Sequence, residues 1–200
     1  MSHFFAYLSR MKYINRWNTM RNSKEENIQE HSLQVAMIAH ALALIKNKYY
    51  HGTVDPERIT LLAVYHEASE VITGDMATPI KYYNDEIRDA YKRLEQMANE
   101  RLFRMVPTDF KQDYASLLFH TSADEESLKI VKYADKISAF LKCVEEVKAG
   151  NLEFGKAKES ILHDLQRMNV AEVQYFMDHF VPGFNLSLDE LNSEDTETVE

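Results

Sequence analysis

Five glycines and four prolines in 200 residues leave few positions where this chain can reverse direction tightly. A many-stranded fold needs such turns often, so the scarcity points to long helices joined by few loops. The apolar pattern agrees. His31, Val35, Ile38, Leu42 and Ile45 fall at i, i+4, i+7, i+11 and i+14, which is one helical face. Asp55 followed by Pro56 reads as an N-cap and first helical residue, and the helix it opens is expected to run to about Ile72, ahead of Gly74. Asn84 is expected to cap a long helix striped by Ile87, Tyr91, Leu94, Ala98 and Met105 and ended by Pro107. Further helices are expected over about 3–11, 109–119, 124–149, 154–168 and 171–180. No segment alternates as a strand should. The reading is all-α, with one domain over residues 1–187 and an acidic, disordered tail over 188–200.

Charge excludes some functions. The chain carries a formal −9, and a broad nucleic-acid groove requires a net basic face, so no nucleic-acid polymer is expected as partner. Six of the excess acids lie from Leu188 onward, which leaves −3 for the rest. The first 24 residues hold Arg10, Lys12, Arg16, Arg21 and Lys24 and no acid, interleaved with Phe4, Phe5, Tyr7, Tyr13 and Trp17. Most of that segment reads as an amphipathic start docked on the core, with one or two cations left to face an anionic ligand. The single cysteine, Cys143, rules out an internal disulfide and fits a reducing compartment. No apolar run reaches the ~20 residues of a membrane span, and the first residues lack the apolar core and cleavage site of a signal peptide. A cytoplasmic protein is expected, with no membrane as partner.

The informative residues break the apolar stripes. His31 begins its helix on the inner face. His66 lies four residues after Leu62 and four before Glu70, with Glu67 about 100° round. Asp135 borders the stripe of Ile130, Ala134, Ile137 and Leu141. One buried histidine is ordinarily a satisfied core residue, and one mid-helix aspartate ordinarily pairs with a lysine such as Lys132 or Lys136. Three helices each interrupted by a metal-ligand residue point instead to a transition-metal site. The run His66-Glu67-Ala68-Ser69-Glu70 is close to the H-E-x-x-H helix of zinc proteases, but the second histidine is missing and no third ligand follows.

The order His31, His66-Glu67, Asp135 resembles the H…HD…D pattern of the HD-domain phosphohydrolases. Within them, the stretches SHFFAYLSRMKYINRW, EHSLQVAM, YHEASEVITGD, the TP of DMATP, KYAD and FVPGFNLSLDE are similar to the YfbR-type 5′-deoxynucleotidases, from about Ser2 to about Glu190. The resemblance implies an HD-type helical bundle that removes phosphate from deoxyribonucleoside 5′-monophosphates. It implies a homodimer and a divalent metal, cobalt first, with manganese or another transition metal as alternatives. By position, the metal ligands would be His31, His66, Glu67 and Asp135. Arg16, Trp17, His31, Glu67, Asp75, Met76, Ala77, Thr78 and Asp135 would contact the nucleotide, and Glu70 and Arg16 would serve catalysis. The family pattern has Asp where this chain has Glu67, and the extra methylene displaces the carboxylate by about one C–C bond unless a rotamer compensates. A nucleotide-binding protein with weakened or lost catalysis is therefore the alternative.

The residue types suit the chemistry. Arg16 offers a planar, permanently charged fork for two phosphate oxygens. Trp17 is either a packed aromatic or a wall against the sugar. Glu70 is either an acid–base group one turn from His66 or the partner of a cation such as Arg16. Asp75 and Thr78 either line the same cleft or serve only the turn after Gly74. His40, His120, His163 and His179 share no spacing with the cluster and read as structural or exposed.

Overall fold

A computed structural model of the protein describes residues 1–81 and 83–194, with the side chains of Thr78 and Glu194 left aside. Eleven α-helices are present among them: α1 (Phe4–Leu8), α2 (Ile28–Tyr49), α3 (Pro56–Tyr65), α4 (Glu70–Thr73), α5 (Thr78–Lys81), α6 (Asp85–Met105), α7 (Lys111–Leu118), α8 (Glu125–Lys148), α9 (Gly155–Arg167), α10 (Ala171–His179) and α11 (Leu188–Glu194). No strand forms among the described residues; one antiparallel bridge joins Asn15 to Asn27.

The start signals work as the sequence suggests. The Asp55 side chain accepts from the N–H groups of Glu57 and Arg58, with Pro56 in the first turn, and Asn84 accepts from Ile87. Asn27 does the same for α2 through Gln29 and Glu30. The stripe predicted on α2 is its inner face: Val35 and Leu42 are wholly buried, and Ile38 and Ile45 nearly so. They meet Ile59 and Leu62 of α3 and Ile130, Ile137 and Leu141 of α8 in the main core, which α9 and α10 close with Leu165, Val173 and Phe176. Cutting a side chain such as Leu42 to Ala there costs about 2–5 kcal/mol. A smaller core joins Phe4 of α1 to Ala68, Leu102, Val106 and Leu118. The site lies where the two cores meet.

Two expectations need revision. The helix expected to continue to Ile72 stops at Tyr65. Residues 66–69 form turns whose N–H groups reach back three residues, as in Ala68 to Tyr65 and Glu70 to Glu67, both 3.0 Å, before α4 resumes. The acidic end does not begin as irregular chain. Ser187 and Glu190 cap α11 reciprocally, the Ser187 N–H donating to Glu190 Oε2 at 2.6 Å and the Glu190 N–H to Ser187 Oγ at 3.4 Å. The remainder of the expected tail, residues 195–200, lies outside the described residues.

Candidate active site

The break after α3 builds the centre of the site. In a continuous helix, His66 and Glu67 would point about 100° apart. In the turn, both reach the same point. His31 enters from the first turn of α2. One ligand atom from each of His31, His66 and Glu67 lies within 4.8 Å of the other two. Asp135 of α8 stands beside them, its Oδ1 3.0 Å from His31 Nε2, with a side chain 41% exposed.

Each imidazole is held by its other nitrogen. His66 Nδ1 is 2.6 Å from the carbonyl of Ala63, which only accepts, so Nδ1 carries a proton and, in the neutral ring, Nε2 carries the lone pair. His31 Nδ1 is 3.1 Å from Ser138 Oγ, whose own hydrogen goes to Gln34 Oε1 at 2.6 Å, leaving the hydroxyl oxygen to accept. Both Nε2 atoms are buried without a hydrogen-bond partner, although carboxylate oxygens stand near: Asp135 by His31, and Glu67 Oε1 3.3 Å from His66. Donor atoms that crowd together without bonding one another, each ring fixed from behind, fit a shared metal ion. Glu67, one methylene longer than the family pattern, still reaches His66.

The electrostatics separate the acids and bases. Burial, reinforced by the charge of Arg16, lowers the His31 pKa, which favours the neutral imidazole a ligand needs. Burial works against charge on His66 also, but Glu67 and Asp135 outweigh it and raise that pKa. Glu67 is held well below the ordinary carboxylate range by His66 despite its burial. Glu70, 5% exposed, is pushed far up by burial and by the negative Glu67 beside it. Two neighbouring glutamates thus divide the roles, one charged and one holding a proton. Glu70 is not the partner of Arg16.

Arg16 lies at the foot of the loop between α1 and α2. Its N–H donates to the Glu26 carbonyl at 2.8 Å, and its Nη1 to Glu26 Oε2 at 2.7 Å. Its Nη2 stands 3.7 Å from Asp135 Oδ1, so the guanidinium borders the cluster. Trp17 follows with a φ of +56°, packs its ring 5.3 Å from Phe154, and has a buried, unpartnered Nε1. Asp75, Met76 and Ala77 form the half-buried stretch after Gly74. Burial raises the Asp75 pKa, and the positive charge of Arg16 opposes the rise. The Ala77 carbonyl accepts from Ile80 and Lys81, and Thr78 opens α5. Sequence reasoning missed Glu26, Ser138 and Gln34. Glu26 had a signal: it is among the first acids after a start of 24 residues without one.

The model of the 5′-deoxynucleotidase YfbR-like family matches residues 3–184. A 5′-deoxynucleotidase of Vibrio parahaemolyticus is 54% identical over 191 residues, covering 96% of this chain and 98% of its own. One of Cronobacter sakazakii is 55% identical over 195 residues, covering 96% and 97%. Among solved structures, an HD-domain phosphohydrolase of Listeria innocua superposes with a TM-score of 0.75 at 24% identity, over 98% of each chain. The HD phosphohydrolase of cyanophage S-2L, solved with dA and one catalytic zinc ion, has a TM-score of 0.63 at 19% identity, over 90% of this chain and 95% of its own. These structural likenesses give the fold expected above, an HD-type bundle.

Proposed function

The chain belongs to the YfbR-like family of 5′-deoxynucleotidases, and on that basis we propose a working assignment for its residues. It is a metal-dependent phosphomonoesterase that hydrolyses deoxyribonucleoside 5′-monophosphates to deoxyribonucleoside and phosphate. His31, His66, Glu67 and Asp135 hold the metal. A divalent cation bound there lowers the pKa of water and offsets phosphate charge. Arg16 binds phosphate oxygens through its fork, kept in plane by Glu26. Glu70, protonated beside Glu67, donates its proton to the leaving 5′-oxygen. Trp17 and the Asp75–Thr78 stretch border the sugar and base.

One observation carries this reading: two buried imidazole nitrogens without partners converge on Glu67 with their rings fixed from behind. Cobalt is the proposed metal, with manganese or another transition metal as alternatives; the cyanophage neighbour's zinc supports the charge class rather than the element. The protein works as a homodimer in the cytoplasm. Support for the dimer comes from Leu33, Met37 and Leu44, which form an exposed stripe on α2 beside exposed Leu61 and Val64 of α3. Support for the compartment comes from a lone buried thiol at Cys143, and no described helix is long and apolar enough to cross a membrane.

Purified protein incubated with Co2+, Mn2+ or Zn2+ and dAMP, beside AMP and a 3′-deoxynucleotide, tests the assignment. Phosphate release from dAMP well above the other two is expected. Equal release from all three would remove the sugar and position selectivity. Thermal stabilisation by dAMP without any release would establish the binding-only alternative instead.

A further inference from the structure

The loop that carries Arg16 and Trp17 lacks regular structure, yet it holds a strained residue. Trp17 is a bulky side chain at positive φ, a backbone state that persists only where the surroundings impose it. Locally the Trp17 carbonyl accepts from the Met20 N–H at 2.9 Å and from Asn22 Nδ2 at 3.1 Å, and the residues that follow are held by polar groups outside the metal cluster. On α8, Lys142 and Glu146 form an ion pair at 2.5 Å, with side chains only 5% and 2% exposed. The Glu146 carboxylate also accepts from the backbone N–H of Ser23 at 2.8 Å, from that of Lys24 at 3.2 Å, and from Asn151 Nδ2 at 2.8 Å. Burial alone would raise the Glu146 pKa, and these donors bring it far below the ordinary range. Lys142 Nζ donates to the Lys24 carbonyl at 2.5 Å, and Asn151 Nδ2 to the Arg21 carbonyl at 2.7 Å.

A second arm reaches Trp17 from below. Asn151 caps the short turn Leu152–Phe154 by accepting from the Glu153 N–H at 3.3 Å. That turn delivers the Phe154 ring against Trp17, and Lys142 Nζ stands 5.7 Å from the same ring. Asp135, Ser138, Lys142 and Glu146 fall at i, i+3, i+7 and i+11, so one face of α8 carries all four, over roughly 16 Å at 1.5 Å per residue. A buried ion pair is weak evidence for stability, since apolar residues often replace one at no loss. Here its bonds go to the backbone of one loop.

We propose that Lys142, Glu146 and Asn151 form a positioning clasp that sets Arg16 and Trp17 relative to the metal ligands on the same helix. The clasp touches neither metal nor substrate. It fixes the far end of the loop, as the Glu26 bonds fix the near end, and so sets where the guanidinium meets phosphate. This rests on the phosphomonoesterase reading.

The test uses Asn151→Ala and Glu146→Gln, alone and combined with Arg16→Ala, in the metal-loaded protein. KM for dAMP is expected to rise on the order of tenfold, with kcat changing less, which is the loss of a charge-assisted contact made in ground and transition states alike. Acrylamide quenching of Trp17, the only tryptophan, is expected to increase. In the Arg16→Ala background, either clasp substitution is expected to raise KM less than twofold more, because the contact it positions is already gone. Unchanged KM and quenching in folded Asn151→Ala would overturn the clasp, as would KM effects that multiply fully with Arg16→Ala. Should Glu146→Gln fail to fold, Asn151→Ala decides. Wild-type protein that releases no phosphate would overturn the functional reading instead, and Trp17 quenching would still decide the clasp.

Discussion

His31 and Arg16 reach the same carboxylate, Asp135, at 3.0 and 3.7 Å, but they are held there by different means. His31 stands on a 22-residue helix whose inner face is closed by the main core, and its ring is fixed by Ser138. Arg16 stands on an irregular loop, pinned by Glu26 on one side and tied down at residues 21–24 by polar groups of α8 and Asn151. Metal ligands tolerate displacements of about half an ångström before function suffers. Close-packed helices supply that rigidity without special bonds. A loop needs each degree of freedom removed one by one, so its geometry depends on a few hydrogen bonds rather than on packed area.

The largest expected effect falls on the helix-borne half. His66→Ala should cut phosphate release on the order of a thousandfold or more and abolish the thermal shift produced by added Co2+. A retained shift with lost turnover would move His66 out of the ligand set. Arg16→Ala should cost on the order of a hundredfold in kcat/KM for dAMP while leaving the cobalt shift in place, since the loop binds phosphate and not metal. Ser138→Ala breaks the orientation of His31 from behind and should weaken metal affinity roughly tenfold to a hundredfold, read by competition with a chelating dye.

The smallest effect is on stability. In chelator-treated protein, Glu70 binds a proton when folded but not when unfolded, at any pH between the ordinary carboxylate range and its raised value. Stability therefore falls as pH rises from about 4.5. Glu70→Gln should remove that slope, making the variant more stable than wild type by about 1–3 kcal/mol at pH 8 and nearly equal at pH 4 in urea melts. Parallel slopes would show that Glu70 is ionised.

The helix-borne half was legible because its signals are periodic. Asp55-Pro56, Asn84 and the stripe through Leu42 each specify structure through local bonds or burial. The break after Tyr65 was not legible, because residues 66–69 contain neither glycine nor proline, and Ala68, Ser69 and Glu70 would all sit comfortably in a helix. The resemblance implied that His66 and Glu67 share one metal; the turn that brings their side chains together was what the sequence did not display. Arg16 was visible as a cation beside an aromatic. Its restraint was not, since Glu146 lies 130 residues further along the chain and looks like one more charge on a helix of evenly mixed acids and lysines. The capping box at Ser187 and Glu190 was present in the sequence and passed over in favour of the overall acidity.

The interrupted helix has a consequence for how occupancy can be observed. Between His66 and Ile72, several backbone N–H groups reach carbonyls three residues back, at distances up to 3.4 Å, where α2 and α8 have regular four-residue bonds. Such bonds open more readily, so these amides should exchange with deuterated solvent faster than those of the two long helices. A ligand gripping His66 and Glu67 ties down the start of that segment. Mass-spectrometric exchange of the peptide spanning residues 63–74 should slow when metal and nucleotide bind, while peptides from the centre of α2 stay unchanged. The interruption that brings two ligand side chains to one point thereby makes its own amide protons a clock for the filled site.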